Sequence, residues 1–263
     1  MNNKKDLLWP NICSVPYFRG LLRAVEGKFY QDLILIDPVI DLGCGDGHFA
    51  SISFNKKVDV GIDPWTSQLK YAVKTKAYHN VVCGDGSRIP FPVGYFNSVI
   101  SNSVLEHIND IDSTISEVSR VLASGGLFVF CVPNHQFLSN LSISSCLDRI
   151  GLKPLGNAYR RFFNKISRHY HCDPPELWIE RLEIHQIRIE KWWHYFSPNA
   201  LHMLEWGHYL GLPSLITHYL FQRWILIPRR WNLGLIDRML RPFYNEAVSR
   251  NDGSYTFFIA RKI

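Results

Sequence analysis

Val39-Ile40-Asp41-Leu42-Gly43-Cys44-Gly45-Asp46-Gly47-His48 is the stretch whose reading decides the fold. Apolar and β-branched residues run into an acid, three glycines then alternate, and a helical pattern follows. That layout describes a buried parallel strand, a tight backbone turn and a helix N-terminus. Glycine lets a ligand come close to the backbone, and a helix start offers N–H groups to an anion. A dinucleotide site is built from the same parts, so the spacing has to decide. The nicotinamide and flavin fingerprint needs G-x-G-x-x-G. Here the spacing is G-x-G-x-G, with Asp41 closing the strand before it.

Four more segments follow in order. Val58-Asp59-Val60-Gly61-Ile62-Asp63 is a second apolar strand ending in an acid. An acid there suits the two hydroxyls of a ribose, or it caps the helix that begins after Pro64. A short third strand, Asn80–Cys83, runs into Gly84-Asp85-Gly86-Ser87-Arg88-Ile89-Pro90-Phe91, which by itself is an Asp-Gly turn. Phe96 to Ile108 reads as a fourth strand and a loop. Ile111, Ile115, Val118, Val121 and Leu122 then recur at helical intervals. Ser124-Gly125-Gly126 reads as a glycine helix stop, and Leu127–Val132 as a fifth strand terminated by Pro133. Alternating strands and helices predict a parallel, doubly wound sheet with right-handed crossovers. Ligands in such sheets lie beyond the carboxyl ends of the strands. Asp41, Asp63, Asp85 and Asn102 all fall there, so one pocket can collect them.

The first motif resembles that of the class I S-adenosylmethionine-dependent methyltransferases, in the branch that reads D-x-G-C-G-x-G. Ser101 to Ile108 is similar to the S-x-x-x-L-E-H-I segment of the same branch, the "type 11" methyltransferase domain. The resemblance covers residues 39–134. It implies an α/β fold: a Rossmann-like, seven-stranded sheet with helical insertions forming a lid. It also implies S-adenosylmethionine as cofactor. On it, the Gly43, Cys44, Gly45 and Gly47 turn holds the methionine moiety, and Asp41 orients that loop or meets the amino group. Asp63 takes the ribose. Asp85 accepts from the adenine amine, and the N–H of Gly86 or Ser87 meets the ring nitrogen. Asn102 and Ser103 complete the site. Arg19, on the amphipathic helix Tyr17–Tyr30, pairs with the methionine carboxylate; the alternative for Arg19 and Arg23 is a solvated helix face.

The resemblance also organises the rest of the chain. Residues 1–36 form an N-terminal helical segment covering the cofactor site, 37–134 the cofactor-binding core, and 135–263 the completion of the sheet, within one compact domain. A helix at Pro175–Ile184 precedes a sixth strand, Ile187–Phe196, and the antiparallel seventh strand is Tyr255–Arg261. Two insertions remain, 135–172 and 197–253, and at least one should cover the pocket.

A chain of 263 residues can bury one substantial core. Its six cysteines form no C-x-x-C pair, so reduced thiols in a cytoplasmic protein are expected. Lys4 and Lys5 precede no long apolar run, which argues against a secretory signal, and no stretch predicts a spanning helix. Residues 1–136 carry 12 Lys or Arg against 13 Asp or Glu. Residues 137–263 carry 17 against 10, which recovers the net charge of +6. The basicity therefore belongs to the half expected to meet the acceptor, unless it is only a solvated surface.

The 197–253 insertion is rich in aromatics, with Tyr195, Phe196, Trp206, Tyr209, Tyr219, Phe221, Trp224, Trp231, Phe243 and Tyr244 in or beside it. Arginines interleave through Arg223-Trp224 and Arg229-Arg230-Trp231. One reading is a helical lid that buries its aromatics on the core. Another is peripheral membrane contact through 197–244, with a lipid-linked acceptor. Base-amine methyltransferases typically show [DN]-P-P-[YF] after the fourth strand, where this chain has Asn102-Ser103-Val104-Leu105. That departure argues against nucleic acid and leaves small molecules, glycans and lipids, methylated at oxygen or nitrogen. His169, His171, Cys172 and Asp173 lie close together, but no second cluster matches them and no metal is expected. His107, His169, His171, His194 and Tyr195 are the candidates for a base that takes the acceptor's proton. Two rival functions stay open: a non-catalytic module on the cofactor fold, and a nicotinamide-dependent oxidoreductase.

Overall fold

The computed structural model describes residues 4–263, so the first three residues of the N-terminal segment lie outside it. Seven strands form one sheet in the order β3-β2-β1-β4-β5-β7-β6. β1 (Val39–Leu42), β2 (Val58–Asp63), β3 (Tyr78–Cys83), β4 (Phe96–Asn102) and β5 (Leu122–Pro133) run parallel to one another. β7 (Tyr255–Lys262) runs antiparallel between β5 and β6 (Ile187–Tyr195). The inner strands are apolar at consecutive positions because both faces are covered. Val39, Ile100, Val129 and Phe257 enter one core, and their neighbours Ile40, Val99, Phe128 and Phe258 enter the other.

Helices cover each face. On the first lie α1 (Leu8–Ile12), α2 (Tyr17–Tyr30), α3 (His48–Ser53) and α4 (Thr66–Thr75). α5 (Ile111–Val121) supplies the second core. The 135–172 insertion folds as α6 (Ser142–Arg149) and α7 (Lys153–Ser167) and sends Phe137, Leu141 and Phe163 into the first core. α8 (Pro175–Ile184) then buries Trp178 and Leu182 in the second. The 197–253 insertion folds as α9 (Pro198–Leu210), α10 (Leu212–Phe221) and α11 (Arg230–Tyr244). α9 lies so tightly on α2 that a Cβ on Gly207 or Gly211 would run into the Phe18 ring. Among the described residues, no helix is long and apolar enough to cross a membrane.

The structure departs from the sequence expectations in detail. Gly125 and Gly126 are not a helix stop: α5 already ends at Val121, where Leu122 turns extended. The pair sits inside β5 as an irregularity, since Phe96 pairs with Leu122 but Ser98 with Leu127. Gly125 takes a φ of +73°, which only glycine adopts cheaply. β3 starts at Tyr78, two residues early, because Tyr78 is a buried side chain rather than part of a turn.

Candidate active site

The glycine turn leaves β1 with Gly43, Gly45 and Gly47 all at positive φ, +77°, +53° and +75°. The three are not equivalent. A Cβ on Gly43 would stand closer to the Val104 side chain than real Cβ atoms come, and one on Gly47 would press on Ala72 and Thr75. Gly45 has nothing within 4 Å of that position. Two glycines therefore let the protein pack against itself, and one leaves a cradle that a ligand can fill. The turn's N–H groups are largely used internally, unlike the free donors that the sequence suggests. Gly43 and Cys44 donate to the Ile62 carbonyl, Gly45 to Asp63 Oδ2 at 2.9 Å, and His48 to Asp46 Oδ1 at 3.0 Å.

The acids lie where the strand ends put them. Asp63 is almost fully buried and holds two backbone donors, Gly45 N–H on Oδ2 and Trp65 N–H on Oδ1. Its ordered carboxylate still has lone pairs for a hydroxyl. Asp85 is exposed and accepts from Ser87 N–H at 2.8 Å, while Gly86 is buried against Thr114 and Leu42. Asp41 accepts from the Tyr78 hydroxyl at 2.6 Å, and Tyr78 reaches it by lying over Gly61 of β2. Burial pushes the Asp41 carboxyl up to about 6; the Tyr78 bond opposes this and Asp63 adds to it. The N-terminal segment closes on the turn, with His48 Nε2 2.9 Å from Asn11 Oδ1. Arg19 lies near the turn: burial and Arg23 lower its pKa, and Asp46 works the other way.

Asn102 and Ser103 end β4, and their side chains turn into a buried polar cluster around Glu26 of α2. The Glu26 carboxylate is fully enclosed and accepts four hydrogen bonds. The donors are Arg23 Nη1 (2.8 Å), Asn102 Nδ2 (2.6 Å), Ser103 Oγ (2.8 Å) and the Tyr195 hydroxyl (3.0 Å). Four donors match the lone pairs of a carboxylate, so the buried charge is satisfied rather than stranded. Burial works against the Arg23 charge, and Glu26 more than restores it. The cluster ties α2, β4 and β6 together.

Beside it opens a cavity of about 180 Å³, lined by Phe18, Arg19, His107, His169, His208 and Tyr255 among others. His107 and His169, 62 positions apart, face each other with ring centroids 5.2 Å apart. His107 Nδ1 is 3.0 Å from the Arg168 carbonyl oxygen, which can only accept, so Nδ1 carries the proton and Nε2 keeps its lone pair. Burial pushes His169 down to about 3, with His107 and His208 adding to it. The other base candidates lie elsewhere. His171 is pinned between the Ile108 carbonyl (3.0 Å) and Asp173 (3.4 Å). His194 is bonded to Thr256 Oγ1 and Asn134 Nδ2, and Tyr195 is committed to Glu26.

Residues 40–130 match the model of the methyltransferase domain. Those residues form a methyltransferase domain. The chain is 28% identical to ajmaline N-methyltransferase of Rauvolfia serpentina over 64% of this chain and 58% of that protein. It is 24% identical to the mitochondrial ubiquinone biosynthesis O-methyltransferase of Mus musculus over 73% of this chain and 55% of that one. The chain thus spans little more than half the length of these relatives. In fold it is similar to the S-adenosylmethionine-dependent methyltransferase of Mesorhizobium loti, with a TM-score of 0.55 at 14% identity, covering 93% of this chain and 100% of that one.

In and beside this methyltransferase domain, the residues missed by sequence reading are Tyr78 and, on α2, Glu26 with Arg23 as its partner. Glu26 leaves one signal: a carboxylate next to Val25 and one turn before Phe29 and Tyr30, three positions after Arg23 on the helix side that carries the apolar residues. Gly61 is the trace of Tyr78, since a side chain there would block the ring's path to Asp41.

Proposed function

We propose that the chain transfers a methyl group from S-adenosylmethionine to an oxygen of a small-molecule, glycan or lipid-linked acceptor held in the Phe18–Tyr255 cavity. One observation carries this reading: Arg19, which feels the charge of Asp46 in the turn beside the open cradle at Gly45, also lines the cavity that holds His107 and His169. The cofactor, when bound, supplies an electrophilic methyl group, so the protein's task is to position the acceptor and exclude water. Gly43, Cys44, Gly45 and Gly47 would make room for the methionine part, with Asp41 and Tyr78 stiffening the turn. Arg19 would meet the carboxylate, Asp63 the ribose, and Asp85 with Gly86 or Ser87 the adenine. Asn102 and Ser103 act through Glu26, holding the floor between the two sites. His107, with Nε2 free to accept, is the group placed to take a hydroxyl proton from the acceptor; His169 stands beside it, kept neutral by burial.

Calorimetric titration of the full chain with S-adenosylmethionine and with S-adenosylhomocysteine tests the reading. Micromolar binding of both, abolished in a folded Gly45→Arg variant, is the expected result. A folded parent that binds neither would overturn it in favour of a non-catalytic module. Binding of reduced nicotinamide cofactor instead would favour the oxidoreductase.

A lipid surface as the place of action is supported by α10, in which no residue is buried. Leu212, Ile216, Tyr219, Leu220 and Phe221 are exposed there, as is Trp231 at the start of α11. Arg223, Arg229 and Arg230 flank them, exposed as well. Apolar side chains rimmed by arginine complement an anionic membrane. Contacts beside and within the same insertion support the lid reading for part of it. Tyr195 and Phe196 are buried, Trp224 stacks on His218 with centroids 4.0 Å apart, and Gln222 is tied to Tyr71 of α4. We assign the protein to the cytoplasm, at the membrane face.

A further inference from the structure

We propose that Glu106, His107 and His169 form a binding site for a divalent first-row transition-metal ion beside the acceptor cavity. One ligand atom from each residue lies within 4.8 Å of the others, and Glu106 Oε1 is 3.8 Å from His107 Nε2. Ligands around one such ion, at bonds of about 2.0–2.2 Å, stand roughly 3–4 Å apart, so a small closure completes the set. Two imidazoles and a carboxylate suit this class of metal rather than magnesium or calcium.

Three further features point to a ligand that the protein atoms do not supply. Glu106 is buried, and its Oε2 has no hydrogen-bond partner among the described residues, a rare condition for a buried carboxylate oxygen. His107 binds a backbone carbonyl through Nδ1 and aims Nε2 at the carboxylate, which is the outer-shell arrangement that orients a metal-bound imidazole. The two sides of the site are also fastened together. Tyr170 N–H and His171 N–H donate to the Glu106 carbonyl at 2.7 and 3.4 Å, and Asn164 Nδ2 holds the His169 carbonyl at 3.1 Å.

The surrounding charge permits a cation. Arg23 is a guanidinium whose charge acts on Glu106, and the Glu26 carboxylate pairs with it at 2.8 Å. Burial pushes the Glu106 carboxyl up to about 8, so a bound cation would take the place of its proton. Arg19 lines the same cavity but extends towards Trp224, 5.9 Å from that ring, and the exposed Arg168 offers its carbonyl to His107. Three protein ligands leave positions open towards the cavity, where an acceptor oxygen can bind; with the ion in place the imidazole lone pairs are used, and the metal rather than His107 would ease loss of the acceptor's proton. That last role rests on the methyltransferase reading; binding of the metal does not.

Co²⁺ binding to the chelator-stripped full chain, followed by visible absorption, tests the site, with Zn²⁺ calorimetry in parallel. One ion per chain is expected, with affinity at least tenfold weaker in Glu106→Gln and in His169→Gln. S-adenosylhomocysteine titration and a thermal melt on each sample report folding. If Glu106→Gln does not fold, His169→Gln, on the loop after α7 and less buried than Glu106, decides. A folded parent that binds neither ion, or variants that bind as the parent does, would overturn the proposal. Metal binding without cofactor binding would sink the methyltransferase reading and leave this site standing. The reverse pattern would do the opposite.

Discussion

Gly43 and Gly45 differ by two positions and should fail in different ways when given a side chain. Both sit at positive φ, where a non-glycine residue costs about 1–2 kcal/mol. For Gly45→Ala that is nearly the whole cost, because its Cβ enters open space. Gly43→Ala must also displace Val104, and overpacking adds about 1–3 kcal/mol. At about 2–4 °C per kcal/mol for a domain of this size, Gly45→Ala should melt roughly 2–8 °C lower and Gly43→Ala roughly 4–20 °C lower. Affinity should run the other way. Gly45→Ala should lose at least tenfold for S-adenosylhomocysteine, about 1.4 kcal/mol, because its methyl occupies the cradle. Thermal denaturation and calorimetry on the same samples read both quantities. Val104→Ala added to Gly43→Ala should recover part of the melting temperature. If Gly45→Ala binds like the parent, or if Val104→Ala gives no recovery, the distinction between packing glycine and ligand glycine is wrong.

Three other outcomes are expected. Asp41 has a folded pKa of about 6, raised from 3.8, so its contribution is fully present at low pH and lost as pH rises through 6. Relative to Asp41→Asn, the parent should therefore lose roughly 2–2.5 kcal/mol between pH 4 and 7, read by urea melts of the ligand-free protein; a pH-independent difference would refute the assignment. Glu26→Gln should cost about 3–5 kcal/mol by leaving Arg23 buried without its carboxylate, and Arg23→Met in the same chain should restore part of it. Strict additivity in that double-mutant cycle would show that the pair is not coupled. The parent should float with anionic but not neutral vesicles, and Ile216→Ser with Phe221→Ser should abolish flotation; a parent that never floats removes the membrane reading.

The sequence by itself determined the sheet. Strands that are apolar on both faces, such as Val39-Ile40 and Val99-Ile100, have only one economical use, the middle of a parallel sheet with helices on either side, and local periodicity records that. The glycine turn was legible too, because G-x-G-x-G is a local backbone requirement, as were the bounds of α2 and α8. Its use was not: nothing in the spacing tells that Gly43 faces Val104 while Gly45 faces open space. Tertiary structure alone decided the partners. Asn102 and Ser103 sit where the motif puts them, yet their side chains serve Glu26, 76 and 77 positions away. His107 and His169 meet although their sequence neighbourhoods share no pattern, while His171, two positions further along the chain, is turned to Asp173 instead. Element type follows from short-range sterics and hydrophobic period, which a sequence carries in itself. Side-chain constellations follow from how distant elements pack, and only the folded chain holds that information.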